Sequence, residues 1–218
     1  MGGVTSILDF FMSSKCSTHN LIFDLGNVLI TFQPREFLQR LTENEKDRDA
    51  IYSLIFAGPE WKEMDRGNIT VEEAKKRYMQ RAPHHKERVE QFFRVWFDMF
   101  QPIEDTIALL QELRKTDIGL YGLSNYIRES YERISPRFPF LEWFDGIVFS
   151  FRLGKIKPER EIYEHLLETY RLKPEECLFI DDMEENVEGA RAAGILAVRF
   201  ESADRLRQEL IARGVLSG

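Results

Sequence analysis

Five short apolar runs, each closed by polar or turn-forming residues, constrain this chain more than any other feature. They are Leu21–Leu25, Ile118–Leu123, Gly146–Ser150, Cys177–Ile180 and Ile195–Phe200. Runs this short and this apolar predict strands buried on both faces. Helical patterns separate the later ones, at about 102–116, 126–134, 158–170 and 184–193, with a last helix near 203–213. Such alternation predicts an α/β fold, a parallel sheet covered by helices on both faces. Right-handed crossovers then bring every strand's C-terminal end to one edge.

One interval breaks the pattern. From about Gln33 to Gln101 no strand is legible, only helical patterns at 34–41, 43–56, 70–81 and 83–100. Thr70 followed by Glu72 and Glu73 reads as an N-cap with an acidic first turn, and Pro83 suits a helix start. The division expected is an N-terminal tail over 1–19, an α/β core over 20–33 and 101–218, and a helical cap over 34–100. The cap's aromatic residues at helical spacing are its own core. Inserted where the first strand ends, it would cover the catalytic edge as a lid.

Composition narrows the partners. A net charge of −7, with Lys and Arg dispersed, argues against nucleic acid, which needs a basic face. Only Cys16 and Cys177 are present, so no disulfide framework is implied, and a reducing, cytoplasmic setting fits. The apolar stretch 7–12 is short, is interrupted by Asp9 and has no basic residue before it. It fails as a signal peptide and as a membrane span, so no membrane partner is expected. Met1-Gly2 with Ser6 matches the N-myristoylation pattern, but so short a pattern is easily met by chance. A tail or short amphipathic helix packed on the body of a monomer is the better reading.

The strand ends carry the polar residues that matter. The first ends in Asp24, the second in Ser124-Asn125, and the fourth in Asp181-Asp182 with Asn186 a turn later. After the third, Lys157-Pro158 leads into a helix. Each has an ordinary reading as a turn residue, a cap or a solvated lysine. Together they occupy one place relative to four strands. Asp24 and Asp182 on neighbouring strand ends would repel unless a cation lay between them, and oxygen ligands with water suit Mg²⁺. Ser124 and the Asn125 N–H can hold phosphate oxygens, with Lys157 as a point charge on the same group. That set is the equipment of phosphoryl transfer from a small phosphorylated molecule.

These residues resemble the motifs of the haloacid dehalogenase superfamily, in order and over about Asn20 to the C-terminus. The motifs are Phe23-Asp24-Leu25-Gly26-Asn27-Val28-Leu29, Leu123-Ser124-Asn125, Lys157-Pro158, and Phe179-Ile180-Asp181-Asp182 with Asn186-Val187-Glu188-Gly189-Ala190. The segment from Trp61 through Asp65-Arg66-Gly67 to Ile69-Thr70 looks like bacterial α-glucose-1-phosphate phosphatases and the phosphatase domains of some epoxide hydrolases. The resemblance implies a Rossmann-like core and an inserted cap. It implies Asp24 as a nucleophile that becomes phosphorylated, assisted by Ser124 and Lys157. Mg²⁺ would be held by Asp24, Asp182 and the Gly26 carbonyl, with Asp181 and Asn186 behind them. Trp61 and Arg66 are the substrate candidates.

Gly26 departs from many family phosphatases, which carry there a second Asp that moves the proton. Losing a general acid–base costs about 10²–10⁴-fold. Asp65 or Glu63 could replace it, although both read as surface charges near a helix start. A substrate with an easily departing group, such as a sugar 1-phosphate, would suffer least. One rival is a metal-independent 2-haloacid dehalogenase using Arg66 to grip a carboxylate. Another is a non-enzymatic protein that keeps the fold. His84 and His85 receive no role.

Overall fold

The computed structural model describes residues 18–217. The readings placed on residues 1–17, including the amphipathic tail and the acylation pattern, lie outside the described residues. Five parallel strands form one sheet: β1 (Asn20–Phe23), β2 (Gly119–Ser124), β3 (Gly146–Phe149), β4 (Cys177–Asp181) and β5 (Leu196–Arg199), in the order β3-β2-β1-β4-β5. β1 is therefore central, with Phe23 level with Gly122 on one side and Ile180 on the other. The chain moves outward through β2 and β3, then returns to place β4 on the other side of β1. Ligands bind α/β sheets at such a reversal, beyond the strands' carboxyl ends.

Period-two alternation explains how both faces are buried. Leu21, Phe23, Leu120, Leu178 and Ile180 point one way, into a cluster with Leu109, Leu110, Leu113, Leu206 and Leu210. Ile22, Leu123 and Phe179 point the other way, against Ile162, Tyr163, Leu166, Val187 and Ala190.

Between β1 and β2 lie α1 (Pro34–Gln39), α2 (Glu45–Ile55), α3 (Pro59–Asp65), α4 (Val71–Arg81), α5 (Lys86–Val95) and α6 (Glu104–Leu113), with no strand among them. The first five build the helical cap. α7 (Arg128–Ile134), α8 (Ser150–Leu153), α9 (Arg160–Tyr170), α10 (Glu184–Ala192) and α11 (Ala203–Ala212) complete the fold. Thr70 caps α4 as expected, in a reciprocal box with Glu73. Pro83 instead opens a short 3₁₀ turn, and α5 begins at Lys86. Two short helices, α3 and α8, carry too few residues to show a period and escaped the sequence reading.

The cap is continuous with one sheet face. The same apolar cluster that holds Leu21 and Phe23 runs through Leu29, Phe37, Phe92 and Trp96. Its two connections to the core lie side by side. Thr31 N–H donates to the Gln101 carbonyl at 2.8 Å and Ile103 N–H to the Leu29 carbonyl at 2.9 Å.

Candidate active site

A cavity of about 510 Å³ opens over the carboxyl ends of β1, β2 and β4 and beneath the cap. Asp24, Gly26, Ser124, Asn125, Lys157, Asp182 and Asn186 from the core line it, as do Trp61 and Arg66 from the cap. The structure thus brings together almost every residue singled out from the sequence. Asp181 lies just beneath, fully buried.

Lys157 organises the floor. Its buried ammonium lies 2.7 Å from Asp24 Oδ1 and 2.6 Å from Asp181 Oδ2. Burial alone would lower the lysine pKa, but Asp181 and Asp24 outweigh it, and the net shift is upward. Lys157 is itself held by Asn125, whose Oδ1 accepts from Lys157 N–H at 2.8 Å while its Nδ2 donates to the Lys157 carbonyl at 3.1 Å. The Asn125 side chain is thereby committed to the loop, leaving its main chain as the expected phosphate contact. The Ser124 hydroxyl, by contrast, has no partner among the described residues and faces the cavity.

The three carboxylates are not equivalent. Asp181 Oδ1 accepts from Met183 N–H at 2.8 Å and from Asn186 Nδ2 at 3.0 Å, and Oδ2 is taken by Lys157. Asp181 is thus saturated, and it pins the start of α10. Asp182 accepts from Asn27 Nδ2, at 3.1 Å through Oδ2, and is half-buried at the cavity. Carboxylate oxygens of Asp24, Asp181 and Asp182 lie within 4.8 Å of one another. One lysine against three acids leaves negative charge that a hard divalent cation with oxygen ligands suits. Asp24 and Asp182 retain the free oxygens for it. Burial pushes Asp24 up to about 7 despite Lys157, and burial likewise raises Asp182.

Asn27 is a site residue that the sequence reading treated only as part of a turn. It adopts left-handed backbone geometry, φ 51°, which asparagine tolerates better than most residues. Its Oδ1 accepts from Phe32 N–H at 2.8 Å while Nδ2 holds Asp182, so one side chain shapes both the turn and the acid pair. Gly26 leaves room: a Cβ there would meet Asp24 Oδ2 at 3.8 Å and Phe32 Cβ at 4.0 Å, both ordinary contacts.

Two readings of the cap are corrected. Arg66 is not free to grip a substrate: its guanidinium forms a fork with both Glu159 oxygens and donates to the Gly154 carbonyl at 3.2 Å. Asp65 is not a surface charge near a helix start. It ends α3, is 9% exposed and lines the cavity. Trp61, one turn earlier on the same helix, lines it too, beside Phe32 and Phe56 at ring separations of 5.8 and 4.5 Å. Glu63 does remain peripheral, accepting from Asn68 at 2.9 Å, and His84 is exposed away from the cavity.

An acid cluster sharing a buried lysine thus lies at the carboxyl edge of a parallel sheet, with inserted helices above it. The chain belongs to the haloacid dehalogenase-like hydrolases, whose family pattern matches residues 19–194. It is 28% identical over 188 residues to a sesquiterpene phosphatase of Aspergillus oryzae, covering 85% of this chain and 91% of that one. It is 23% identical over 199 residues to a D-ribitol-5-phosphate phosphatase of Bacteroides thetaiotaomicron, covering 88% and 96%. A haloacid dehalogenase family enzyme from the same bacterium, solved as a magnesium complex, shares the fold with a TM-score of 0.69. There the identity is 22%, over 88% of this chain and 99% of that one.

Proposed function

We propose that this hydrolase is a Mg²⁺-dependent phosphatase that cleaves a small phosphorylated metabolite through a phosphorylated Asp24. The observation that carries this reading is the ammonium shared between Asp24 and Asp181, with oxygens of Asp24 and Asp182 left over beside it. Asp24, Asp182 and the Gly26 carbonyl would hold Mg²⁺, which when bound neutralises phosphate oxygens and fixes their orientation. Asp24 attacks phosphorus. Lys157 balances the charge of the aspartate and of the incoming phosphate, and the Ser124 hydroxyl donates to a phosphate oxygen. Asp181 and Asn186 keep Lys157 and the start of α10 in place.

For the alcohol part, the walls above the floor favour an apolar or aromatic body. Ile30, Phe32, Phe56, Trp61 and Phe100 line the cavity, and Phe32 stacks on Phe100 at 5.9 Å. The phosphatase of sesquiterpenes among the relatives points the same way. The lean toward a sugar 1-phosphate, which rests on Gly26, is the competing substrate. Arg66 held by Glu159 weighs against the dehalogenase reading.

The test is a phosphate-release screen with Mg²⁺ or EDTA, across prenyl and aryl phosphates and sugar 1- and 6-phosphates. The expected outcome is turnover fastest on apolar-bodied phosphates, silenced by EDTA and by Asp24→Asn. Turnover untouched by both treatments sinks the phosphatase reading, and preference for sugar 1-phosphates sinks the apolar one.

A further inference from the structure

We propose that Asp65 is the general acid and base of this enzyme, supplied by the cap in place of the side chain Gly26 lacks; this rests on the phosphatase reading above. Asp65 is only 9% exposed and lines the cavity, yet its carboxyl accepts no hydrogen bond from any described residue. A buried carboxyl without a partner is costly unless something else uses it. The same cavity exposes Asp24.

The carboxyl is placed by its neighbours. Three successive residues tie this segment to the core. Ser150 Oγ donates to the Asp65 main-chain carbonyl at 2.5 Å. Arg66 is clamped by Glu159 and Gly154. Gly67, at φ 71°, lies so close to α8 that a Cβ would stand 2.5 Å from the Phe151 main-chain oxygen. A helix end fixed at three points aims its carboxyl more narrowly than a free lid could. The charges around it are Asp24 from β1, Lys157 from the loop before α9, and Lys62 and Arg66 from its own segment. Burial pushes the carboxyl up to about 8 against the pull of Lys157 and Arg66, so a proton is available near neutral pH.

The proton balance closes. As Asp24 attacks phosphorus and the bond to the alcohol oxygen breaks, neutral Asp65 gives its proton to the departing oxygen. The resulting carboxylate then takes a proton from water while that water attacks phosphorus and releases Asp24. Alcohol and inorganic phosphate leave, and Asp65 is neutral again. An acid at this position lifts the restriction to activated leaving groups that Gly26 had implied.

The experiment compares an alkyl phosphate with p-nitrophenyl phosphate, whose leaving group needs no proton. Asp65→Asn, which keeps the shape of the neutral acid, should lower kcat on the alkyl phosphate by about 10²–10⁴-fold. On p-nitrophenyl phosphate it should still give a burst of about one nitrophenol per Asp24, followed by slow turnover. Adding Gly26→Asp, for which there is space, should restore alkyl phosphate turnover at least about 10-fold. A merely structural role for Asp65 would remove burst and turnover together and resist that rescue, overturning the proposal. Alkyl phosphate turnover by Asp65→Asn within about threefold of wild type would overturn it as well. Wild-type turnover that Asp24→Asn does not abolish defeats the phosphatase reading itself; wild-type turnover with an indifferent Asp65→Asn defeats only this proposal.

Discussion

The floor and the roof of the cavity are built on opposite rules. The floor gathers charged groups beside the strand ends and ties nearly all of them together, with Lys157 serving two acids, Asn125 holding Lys157 and Asn186 donating to Asp181. The roof is mostly aromatic, and its carboxyl, Asp65, accepts no hydrogen bond among the described residues. A polar group at the floor is fixed by the sheet; one at the roof is fixed only while the cap is docked. The comparison teaches that charge placement here follows backbone rigidity, and that the exception is the residue with a proton to move.

Removing the keystone of the floor should have the largest effect. Lys157→Met leaves buried acids uncompensated, and unfolding titrations should show a loss of about 3–5 kcal/mol at pH 7. Without the lysine the folded-state pKa of Asp24 rises further, so the folded state binds more protons and the loss should shrink as pH falls toward 5. An equal loss at both pH values would mean that the floor is not held by charge.

Mg²⁺ should raise the unfolding free energy of the wild type by about 2.7 kcal/mol at a hundred times its dissociation constant. Asp182→Asn should abolish most of that gain, as read by thermal unfolding. Retention of the full gain would move the cation elsewhere.

At the roof, Asp65 is neutral when folded and ionised when unfolded between the usual carboxylate range and about 8. The folded state therefore binds the extra proton, and stability falls as pH rises through that window, by at most about 1.4 kcal/mol per pH unit. Asp65→Asn should flatten that part of the stability–pH curve. An unchanged slope would show that Asp65 is ionised in the fold.

Two smaller effects sharpen the contrast. Trp61→Leu should raise KM for apolar-bodied phosphates about 10-fold while leaving kcat nearly unchanged, the signature of lost uniform binding. Arg66→Gln should cost under about 1 kcal/mol of stability, since its pair with Glu159 is partly exposed, yet lower kcat by releasing the Asp65 segment. A kcat equal to wild type would mean that the clamp does not position Asp65.

The legible parts of the molecule were those where one residue does one local job. The strand cores, Thr70 with Glu73, and the acids at strand ends announce themselves by period, spacing or motif. α3 did not, because seven residues beginning at Pro59 are too few to show a period and Gly58-Pro59 reads first as a turn. Its charged sequence, Lys62-Glu63-Met64-Asp65-Arg66, looks solvated throughout. Burial of Asp65 beside a pocket, and the engagement of Arg66 with Glu159, 93 residues away, depend on α3 docking against α8. Asn27 was hidden for a related reason: Gly-Asn is an ordinary turn until Asp182, 155 residues on, takes its Nδ2.

By itself the sequence determined the α/β order, the inserted helices, the presence of Asp24, Ser124 and Asp182 at strand ends and of Lys157 before a helix, because strand length and side-chain period are local properties of the chain. It also determined that Gly26 carries no acid. Only the tertiary structure decided where the unpartnered acid lies, since a carboxyl's surroundings are set by what packs over it. Asp65 lines the cavity because α3 packs against α8, and no pattern within α3 could say so.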